Sequence, residues 1–347
     1  MEADKKFFDE IGGFLSSSRE RGRATQLSRL IEGYSLTAQS EGKSPNTITV
    51  VTSSVRYLEQ FLVAQGLSTD VNNIDIQILR RFIVDLQQRP RFANHPLTPC
   101  QNEPLSGHTI NAYARGLQSF WAWLQREEFI SHNPFLKMVI PKPPRKVIPI
   151  FSEKQLQDML AAIDLSASDG CRDLAILEML VDTGIRSQEL RDLRLQDINL
   201  ENRLMKVRGK GSKERHVPFG AKVQKAIWKY VEMHRPEPAN PRYDHVFLTR
   251  DGCSIKKNRL RGIVRKYGQR AGIQGVRLSP HTFRHTMCVM FLRNGGDVFT
   301  LQRITGHSSL EILRGYINLA QSDIVEIHRR NSPIDNLEFK PGRRFKR

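Results

Sequence analysis

A proline-rich, basic stretch near the middle of the sequence sets the main limit on how this chain can fold. Residues 137–149 contain four prolines and four Lys or Arg residues. Proline lacks a backbone N–H and disrupts helix interiors and central strands, so this stretch favours an extended linker. Because 347 residues are also too many for one ordinary core, the sequence predicts two domains joined by a basic linker at residues 137–150.

The part of the chain before the linker has the apolar spacing of α-helices. Apolar residues recur there at three- and four-residue intervals, as they do on the buried face of a helix. The pattern predicts a helical domain over residues 36–136, preceded by a polar, helical extension over residues 1–35. Pro and Asn residues predict an exposed loop at residues 89–107. The predicted helices lie at residues 74–86 and 109–125 and around the apolar positions Val51, Val55, Leu58, Phe61 and Leu62.

A larger mixed domain is predicted over residues 151–332, followed by a basic tail over residues 333–347. One β-hairpin is predicted within it, with strands Leu204–Val207 and His216–Pro218 joined by a turn at Gly209–Ser212. Helical patterns dominate the rest of the domain. The predicted fold class is therefore mainly α with a small β-hairpin or sheet (α+β).

Positive charge is concentrated after the linker. The formal net charge of the chain is +18. Residues 1–140 carry 15 Lys and Arg against 14 Asp and Glu, whereas residues 141–347 carry 39 against 22. Such an excess favours nucleic acid as the partner. A generic basic surface or a membrane-facing patch is the alternative explanation.

No segment of the sequence indicates export or a membrane span. Apolar runs are all too short to cross a bilayer, and the acidic first ten residues do not resemble a signal peptide. The four cysteines are scattered without CxxC pairs, so neither a zinc site nor a disulfide framework is expected. We therefore expect a cytoplasmic protein with no membrane partner.

Two short motifs place basic side chains where a phosphate can bind. Arg186 follows a glycine at the start of a predicted helix, and Glu189 lies one turn further on, where it can fix the guanidinium. Lys210 lies between two glycines at the tip of the predicted hairpin, where the backbone can approach a ligand closely. Taken singly, each motif has a simpler explanation: a surface ion pair in the first case and a solvated turn in the second.

A third motif, Ser279–His285, combines the start of a helix with basic side chains. His281 and Arg284 are three residues apart, on one face of the predicted helix. The N-terminus of a helix itself attracts anions. His285 is expected to be a buried supporting residue. A well-capped helix with a core histidine is the alternative interpretation.

A tyrosine on a further predicted helix completes this set of residues. Tyr316 follows His307 by nine residues. A lone tyrosine on a helix usually packs in a core. Together with two Arg, two His and one Lys, however, it supplies every group that metal-free phosphodiester transfer requires. These groups are a nucleophile, guanidinium groups that hold the phosphate oxygens, and proton donors and acceptors.

In this order, the motif residues resemble those of the tyrosine recombinase (phage integrase) family. The blocks TGIRSQEL, GKGSKERHVP, HTFRH and GHSSLEILRGY are similar to those of Xer recombinases and transposon integrases. The resemblance covers roughly residues 150–325 as a catalytic domain and, more weakly, residues 30–135 as a helical, SAM-like core-binding domain. It implies a C-shaped clamp around duplex DNA.

The resemblance also implies a chemical role for each motif residue. Tyr316 forms a 3′-phosphotyrosyl bond with DNA that conserves the phosphodiester energy, so neither ATP, a metal nor another cofactor is needed. Four protomers exchange strands at paired double-stranded sites through a Holliday junction. The other implied roles are phosphate clamping by Arg186 and Arg284, general acid catalysis by Lys210, acid–base catalysis at Tyr316 by His281, contact with a non-bridging oxygen by His307, and support by Glu189 and His285.

Three residues depart from the family pattern without touching this set. Thr305 stands where the family usually has Leu before Gly-His, and Asn318 stands where a His is common. Gly315, directly before the tyrosine, weakens its helix by about 1 kcal/mol relative to Ala. The subfamily therefore stays open.

A basic helix predicted at residues 256–271 is the candidate for further DNA contacts. Its alternative is a solvated basic face. Two other functions also stay open: a type IB topoisomerase-like enzyme, disfavoured by the Xer-like blocks, and a catalytically idle DNA-binding factor, disfavoured by the complete motif set. The outcome of the reaction, the target site and any accessory proteins are not predicted. The candidate DNA-binding residues are Arg259, Arg261, Arg265 and Lys266.

Overall fold

The computed structural model describes residues 25–91, 93, 99–142, 148–209, 214–307, 309–320, 328–329 and 331–337. The chain separates into two compact units, Met1–Lys146 and Val147–Arg347. Lys210 and most of the predicted hairpin turn lie outside the described residues. The same holds for the first 24 residues and for the basic end of the chain after residue 337.

The first unit is built from helices around one core. Ser44 and Ser106 each cap a helix by accepting a hydrogen bond from a backbone N–H three residues further on, which satisfies a donor that has no partner inside the helix. The aromatic centre of the core contains Tyr34, Phe120 and Trp123 in edge and tilted contacts. The described helices are α1 (Leu27–Ser40), α2 (Pro45–Ala64), α3 (Ile76–Gln88) and α4 (Gly107–Arg126).

Helix α1 begins inside the segment 1–35 that was predicted to be an extension. Leu27, Leu30 and Tyr34 are at most 4% exposed and belong to the core of the first unit. The helical domain therefore starts before residue 36, because apolar side chains at helical spacing face its core rather than solvent. The predicted loop at 89–107 also contains a short antiparallel pair, β1 (Pro90–Arg91) and β2 (Gln101–Pro104).

Helices also dominate the second unit. Helix α6 packs against α8 and α10, and α10 packs in turn against α12. Among the described helices of the chain, none is long and apolar enough to cross a membrane. The described helices of this unit are α5 (Glu153–Ala161), α6 (Gly170–Thr183), α7 (Ser187–Asp192), α8 (Ala221–Met233), α9 (Lys257–Arg270), α10 (Pro280–Arg293), α11 (Val298–Thr305) and α12 (Leu310–Ala320).

A three-stranded antiparallel sheet lies beside these helices in the order β3-β4-β5. Met205 pairs with Val217 across the two longer strands, and both side chains are fully buried in the core. The two predicted hairpin strands are present. A short third strand, which was not predicted, pairs beside β4. The predicted fold class, mainly α with a small sheet, is confirmed. The strands are β3 (Ile198–Asn199), β4 (Leu204–Arg208) and β5 (Glu214–Pro218).

Candidate active site

The described site residues lie on or beside four helices of the second unit. Ser279 caps α10 by accepting a hydrogen bond from the backbone of Thr282 at 3.3 Å, and proline follows it at the first helical position. Helix ends carry unpaired backbone groups, so side chains gathered there find fixed polar partners. The site residues are Arg186 at the start of α7, His281, Arg284 and His285 on α10, His307 after α11, and Tyr316 on α12.

A buried carboxylate joins two guanidinium groups at this site. Glu189 is 3% exposed. Its side chain accepts hydrogen bonds from Arg186 at 2.8 Å and from both terminal nitrogens of Arg215 at 2.7 and 2.9 Å. Burial alone would raise the pKa of Glu189, but the hydrogen bonds from Arg215 and then Arg186 outweigh it and lower the pKa to about 2. Glu189 is therefore a fixed negative charge that orients both arginines.

Two glycine carbonyls each accept a hydrogen bond from one of the two motif arginines. Gly184 and Gly306 end helices α6 and α11 with φ angles of +57° and +65°, a left-handed conformation that glycine adopts without strain. The carbonyl of Gly184, just before the Arg186 motif, accepts a hydrogen bond from Arg284 at 2.7 Å. The carbonyl of Gly306 accepts one from Arg186 at 2.9 Å. Each motif thus positions the arginine of another motif.

The site carries more positive than negative charge. Arg284 is 2% exposed, and its terminal nitrogens also donate to the carbonyl of Thr305 at 2.7 Å. Burial, followed by repulsion from Arg186, lowers the pKa of Arg284 to about 10, so the guanidinium remains charged at neutral pH. Arg186, Arg215 and Arg284 surround a single buried carboxylate. An incoming phosphate would compensate this surplus.

His307 lies next to Arg284 at the end of α11. Its Nε2 atom is 3.1 Å from a terminal nitrogen of Arg284, and its Nδ1 atom is 2.8 Å from the hydroxyl of Thr305. Burial, followed by the charge of Arg284, lowers the pKa of His307 to about 4. The ring is therefore neutral at neutral pH and can accept the N–H of Arg284.

Tyr316 packs among apolar side chains, and its hydroxyl is hydrogen-bonded to a histidine. The residue is 7% exposed, and its Oη atom is 2.5 Å from Nδ1 of His285. Burial raises the pKa of Tyr316 to about 12, and burial together with the nearby His281 lowers the pKa of His285 to about 4. The phenol is therefore protonated at neutral pH and next to a neutral imidazole. The apolar neighbours are Met287, Cys288, Leu301 and Leu313.

The histidine that contacts the tyrosine differs from the one that the sequence indicated. His281, predicted as the acid–base partner of Tyr316, is exposed, and its ring stands edge to face on His285 with 4.3 Å between ring centroids. His285, predicted to be supporting, makes the hydrogen bond to Tyr316. One helical turn separates the two positions, so they lie side by side on the helix, and packing against α12 decides which one reaches the tyrosine.

The four predicted DNA-binding residues of α9 fall into two groups. Arg259 and Lys266 lie within 3.2 and 3.8 Å of the buried carboxylates of Asp169 and Asp173. Both cations are therefore tied to buried acids of their own unit. Arg259 is itself exposed, as are the remaining two residues, but neither of those two forms an ion pair within the described part of the chain. These two residues are Arg261 and Arg265.

Two functional positions were missed by sequence reasoning. Arg215 lies inside the block GKGSKERHVP, but nothing in the local pattern separates it from the other basic residues of the hairpin. Thr305 was noticed only as a departure from the family pattern. Each lies within a few residues of a motif glycine, but this spacing does not show which residues they contact. Their partners, however, come from other elements.

Comparison with known proteins defines the family. The model of the phage integrase family matches residues 149–323. The chain is 30% identical over 296 residues to tyrosine recombinase XerC of Oceanobacillus iheyensis, covering 84% of this chain and 92% of that protein. It is 28% identical over 295 residues to XerD of Listeria monocytogenes, covering 84% and 94%. The chain therefore belongs to the phage integrase family, a class of enzymes that break and rejoin DNA.

Solved structures show the same fold. The XerH site-specific recombinase in a post-cleavage complex with its difH substrate has a TM-score of 0.66 at 19% identity, covering 90% of this chain and 86% of that one. The Tn1549 transposon integrase with circular intermediate DNA has a TM-score of 0.68 at 19% identity, covering 89% and 99%. The predicted family resemblance is confirmed, and the topoisomerase-like and catalytically idle alternatives are not favoured.

Proposed function

We propose that this protein is a site-specific DNA recombinase that uses Tyr316 as its nucleophile. The phenolic oxygen attacks the scissile phosphate, a bond forms between the tyrosine and the 3′ phosphate, and the bond to the 5′ oxygen breaks. That oxygen leaves with a proton. Attack by the 5′ hydroxyl of another strand reverses the step and frees the tyrosine, so the phosphodiester energy is conserved.

The observation that carries this proposal is the surplus of positive charge beside a buried tyrosine. Arg186 and Arg284 both retain N–H groups that contact no acceptor within the described residues. Guanidinium groups bind the oxygens of a phosphate in a planar fork. Because Glu189 and two glycine carbonyls fix both side chains, their orientation is set before DNA arrives, and less reorganisation is needed during the reaction.

Geometry and family resemblance support the remaining roles that we propose. His307 contacts a non-bridging phosphate oxygen, and Glu189 positions Arg186. His285, in contact with the hydroxyl, is the first acceptor for the proton of Tyr316, and His281 exchanges protons with the DNA-facing side of the site. Lys210, outside the described residues, protonates the 5′ leaving oxygen.

We also propose a set of partners and a cellular location. The relatives named XerH and Tn1549 integrase were solved on DNA substrates, which supports duplex DNA as the partner here. By analogy with the family, four protomers assemble on two paired sites and exchange strands through a Holliday junction in the cytoplasm. Chain association on DNA is measurable by size-exclusion chromatography with light scattering.

A covalent-capture experiment tests the nucleophile. Random-sequence duplexes carrying a nick are incubated with the full chain, and protein-linked DNA is recovered under denaturing conditions and sequenced. Tyr316→Phe should abolish the covalent adduct while DNA affinity in a filter-binding assay stays close to wild type, because only the attacking oxygen is removed. Tyr243→Phe is the matched control and should form the adduct normally. An adduct with the Tyr316→Phe protein would refute the assignment.

A further inference from the structure

A short chain of hydrogen bonds runs from the catalytic arginine into the body of helix α11. A terminal nitrogen of Arg284 lies 3.1 Å from Nε2 of His307, and Nδ1 of the same ring lies 2.8 Å from the hydroxyl of Thr305. That hydroxyl donates in turn to the carbonyl of Leu301 at 2.6 Å. Three hydrogen bonds therefore connect four residues: Arg284, His307, Thr305 and Leu301.

Chemistry fixes the direction of every link. A guanidinium can only donate hydrogen bonds, so Nε2 of His307 must accept from Arg284. The main-chain carbonyl of Leu301 can only accept, so the single proton of the Thr305 hydroxyl points to it. The proton between the ring and the hydroxyl must then belong to Nδ1 of His307. A neutral ring satisfies all three links only as the Nδ1–H tautomer.

The position of Thr305 makes this hydroxyl costly to lose. The residue is 0% exposed, and no other hydrogen-bond partner contacts Nδ1 of His307 within the described part of the chain. Without the hydroxyl, the Nδ1–H of the half-buried His307 ring would lack an acceptor among the described residues, and such groups are penalised. The ring would then favour the Nε2–H tautomer, which places an N–H of the ring against an N–H of Arg284.

We propose that Thr305 is a positioning residue that selects the tautomer of His307 and thereby holds the guanidinium of Arg284 in place for the scissile phosphate. The main-chain carbonyl of Thr305 also accepts from Arg284 at 2.7 Å, so the same residue fixes the arginine by two routes. This inference rests on the proposed function, because its consequence is a faster cleavage step.

The low pKa of His307 agrees with this arrangement. Burial and the charge of Arg284 keep the ring neutral near neutral pH, so the choice between its two neutral tautomers matters under ordinary conditions. Thr305 thus fixes the ring in its neutral state, in which Nε2 accepts from Arg284.

Two matched variants separate a positioning role from simple packing. Thr305→Val keeps the shape of the side chain and removes the hydroxyl, whereas Thr305→Ser keeps the hydroxyl and removes a methyl group. The first readout is the tautomer of His307 in the DNA-free, full-length protein, measured from the nitrogen-15 shifts of its ring. The second is the rate of covalent adduct formation at saturating concentrations of a nicked duplex selected by capture on the wild-type protein.

The expected results differ in direction between the variants. Wild type and Thr305→Ser should show the Nδ1–H tautomer, and Thr305→Val should shift His307 toward Nε2–H. Adduct formation by Thr305→Val should slow by about tenfold, the effect of losing one net hydrogen bond, while Thr305→Ser stays close to wild type. DNA affinity should change little in both, so the loss falls on the rate and not on binding.

Several outcomes would overturn the inference. An Nε2–H ring in the wild-type protein would do so without any variant, which covers the case in which Thr305→Val does not fold. Wild-type cleavage rates in a folded Thr305→Val protein, or an equal loss in Thr305→Ser, would reduce the residue to a packing role. Failure of the wild-type protein to capture DNA would refute the proposed function, while the tautomer measurement would still decide the structural claim.

Discussion

Arg215 is the residue that most clearly links stability to the site. It spans from β5 to Glu189 on α7 and to the carbonyl of Ile304 on α11, with distances between 2.7 and 2.9 Å. Its side chain is 15% exposed and that of Glu189 is 2% exposed. Without Arg215, the buried carboxylate of Glu189 keeps only Arg186 as a charged partner, and removing a partner from a buried ion pair is destabilising.

We expect Arg215→Ala to lower the free energy of unfolding by about 3 kcal/mol. Urea denaturation followed by circular dichroism measures the change. Arg208→Ala is the matched control, since Arg208 pairs with Glu214 on the same hairpin but both side chains are about half exposed, and exposed pairs contribute little. Equal losses in the two variants would show that the burial of Glu189 is not the cause.

Buried His285 and half-buried His307 predict how stability depends on pH. The folded-state pKa values of His285 and His307 lie at about 4, below the ordinary value of 6.5. Between these values the unfolded state binds more protons than the folded state. The stabilisation is therefore complete above pH 6.5 and is lost as the pH falls toward 4, by roughly 2 kcal/mol at pH 5 for one such histidine.

Denaturant titrations at pH 7 and pH 5 measure this loss. His307→Gln should reduce the difference between the two pH values, because one of the two titrating rings is gone. His216→Gln is the control, since His216 is exposed on β5 and should leave the difference unchanged. A stability that is equal at the two pH values would contradict the assignment of both rings as neutral at pH 7.

At the scale of the element, helix α9 has two faces whose basic residues make different contacts. One face ties Arg259 to Asp169 at 3.2 Å and Lys266 to the hydroxyl of Tyr267 at 3.1 Å. The other face carries Arg261 and Arg265, which are exposed and one helical turn apart. Phosphate contacts therefore suit the face of Arg261 and Arg265, whose charges have no ion-pair partner among the described residues.

We expect Arg261→Ala and Arg265→Ala each to lower the slope of log affinity against log salt by about one. The unfolding midpoint should stay unchanged in both. Arg259→Ala is the comparison and should have less effect on the slope, since its charge is already compensated by Asp169. Fluorescence anisotropy with labelled duplex measures the slope, and identical slopes in all three variants would rule out the two-face assignment.

Two helix ends that terminate in glycine help to position the site. Gly184 ends α6 and lies two residues before Arg186. Gly306 ends α11 and lies directly before His307. A Cβ at Gly306 would come within 3.1 Å of the Arg215 side chain, and its positive φ disfavours other residues. The left-handed backbone at these two positions therefore explains why glycine occurs there, and their carbonyls accept hydrogen bonds from the site arginines.

At the scale of the whole molecule, charge is divided between the units. Residues 141–347 carry 39 Lys and Arg against 22 Asp and Glu, and residues 1–140 are nearly balanced. We expect DNA binding by the full chain to weaken steeply with salt, because each neutralised phosphate releases a condensed counterion.

Most of that slope should come from the second unit. Binding of the full chain and of an isolated 1–146 fragment to the same duplex, measured between 50 and 200 mM salt, tests the assignment. The fragment contains its own hydrophobic core, which makes it a suitable comparison. A steeper slope for the fragment than for the full chain would place the electrostatic contact in the helical unit instead.

Local pattern was sufficient for much of this protein. Apolar periodicity predicted the long helices, because a helix exposes the same face every three to four residues. Alternation and glycines predicted the hairpin strands. The motif residues Arg186, Arg284, His307 and Tyr316 were identified from their neighbours in the sequence, and their order resembled one family. These features depend on residues a few positions apart, which is the range over which sequence is directly informative.

Only the tertiary structure decided which of these residues touch. The bond from Arg186 to Gly306 spans 120 residues, and the bond from Arg215 to Glu189 spans 26. Such contacts depend on how helices and strands pack, and no local periodicity encodes them. For the same reason, packing of α12 against α10 brought His285 rather than His281 to the tyrosine, and packing of α9 turned Arg259 and Lys266 toward buried acids.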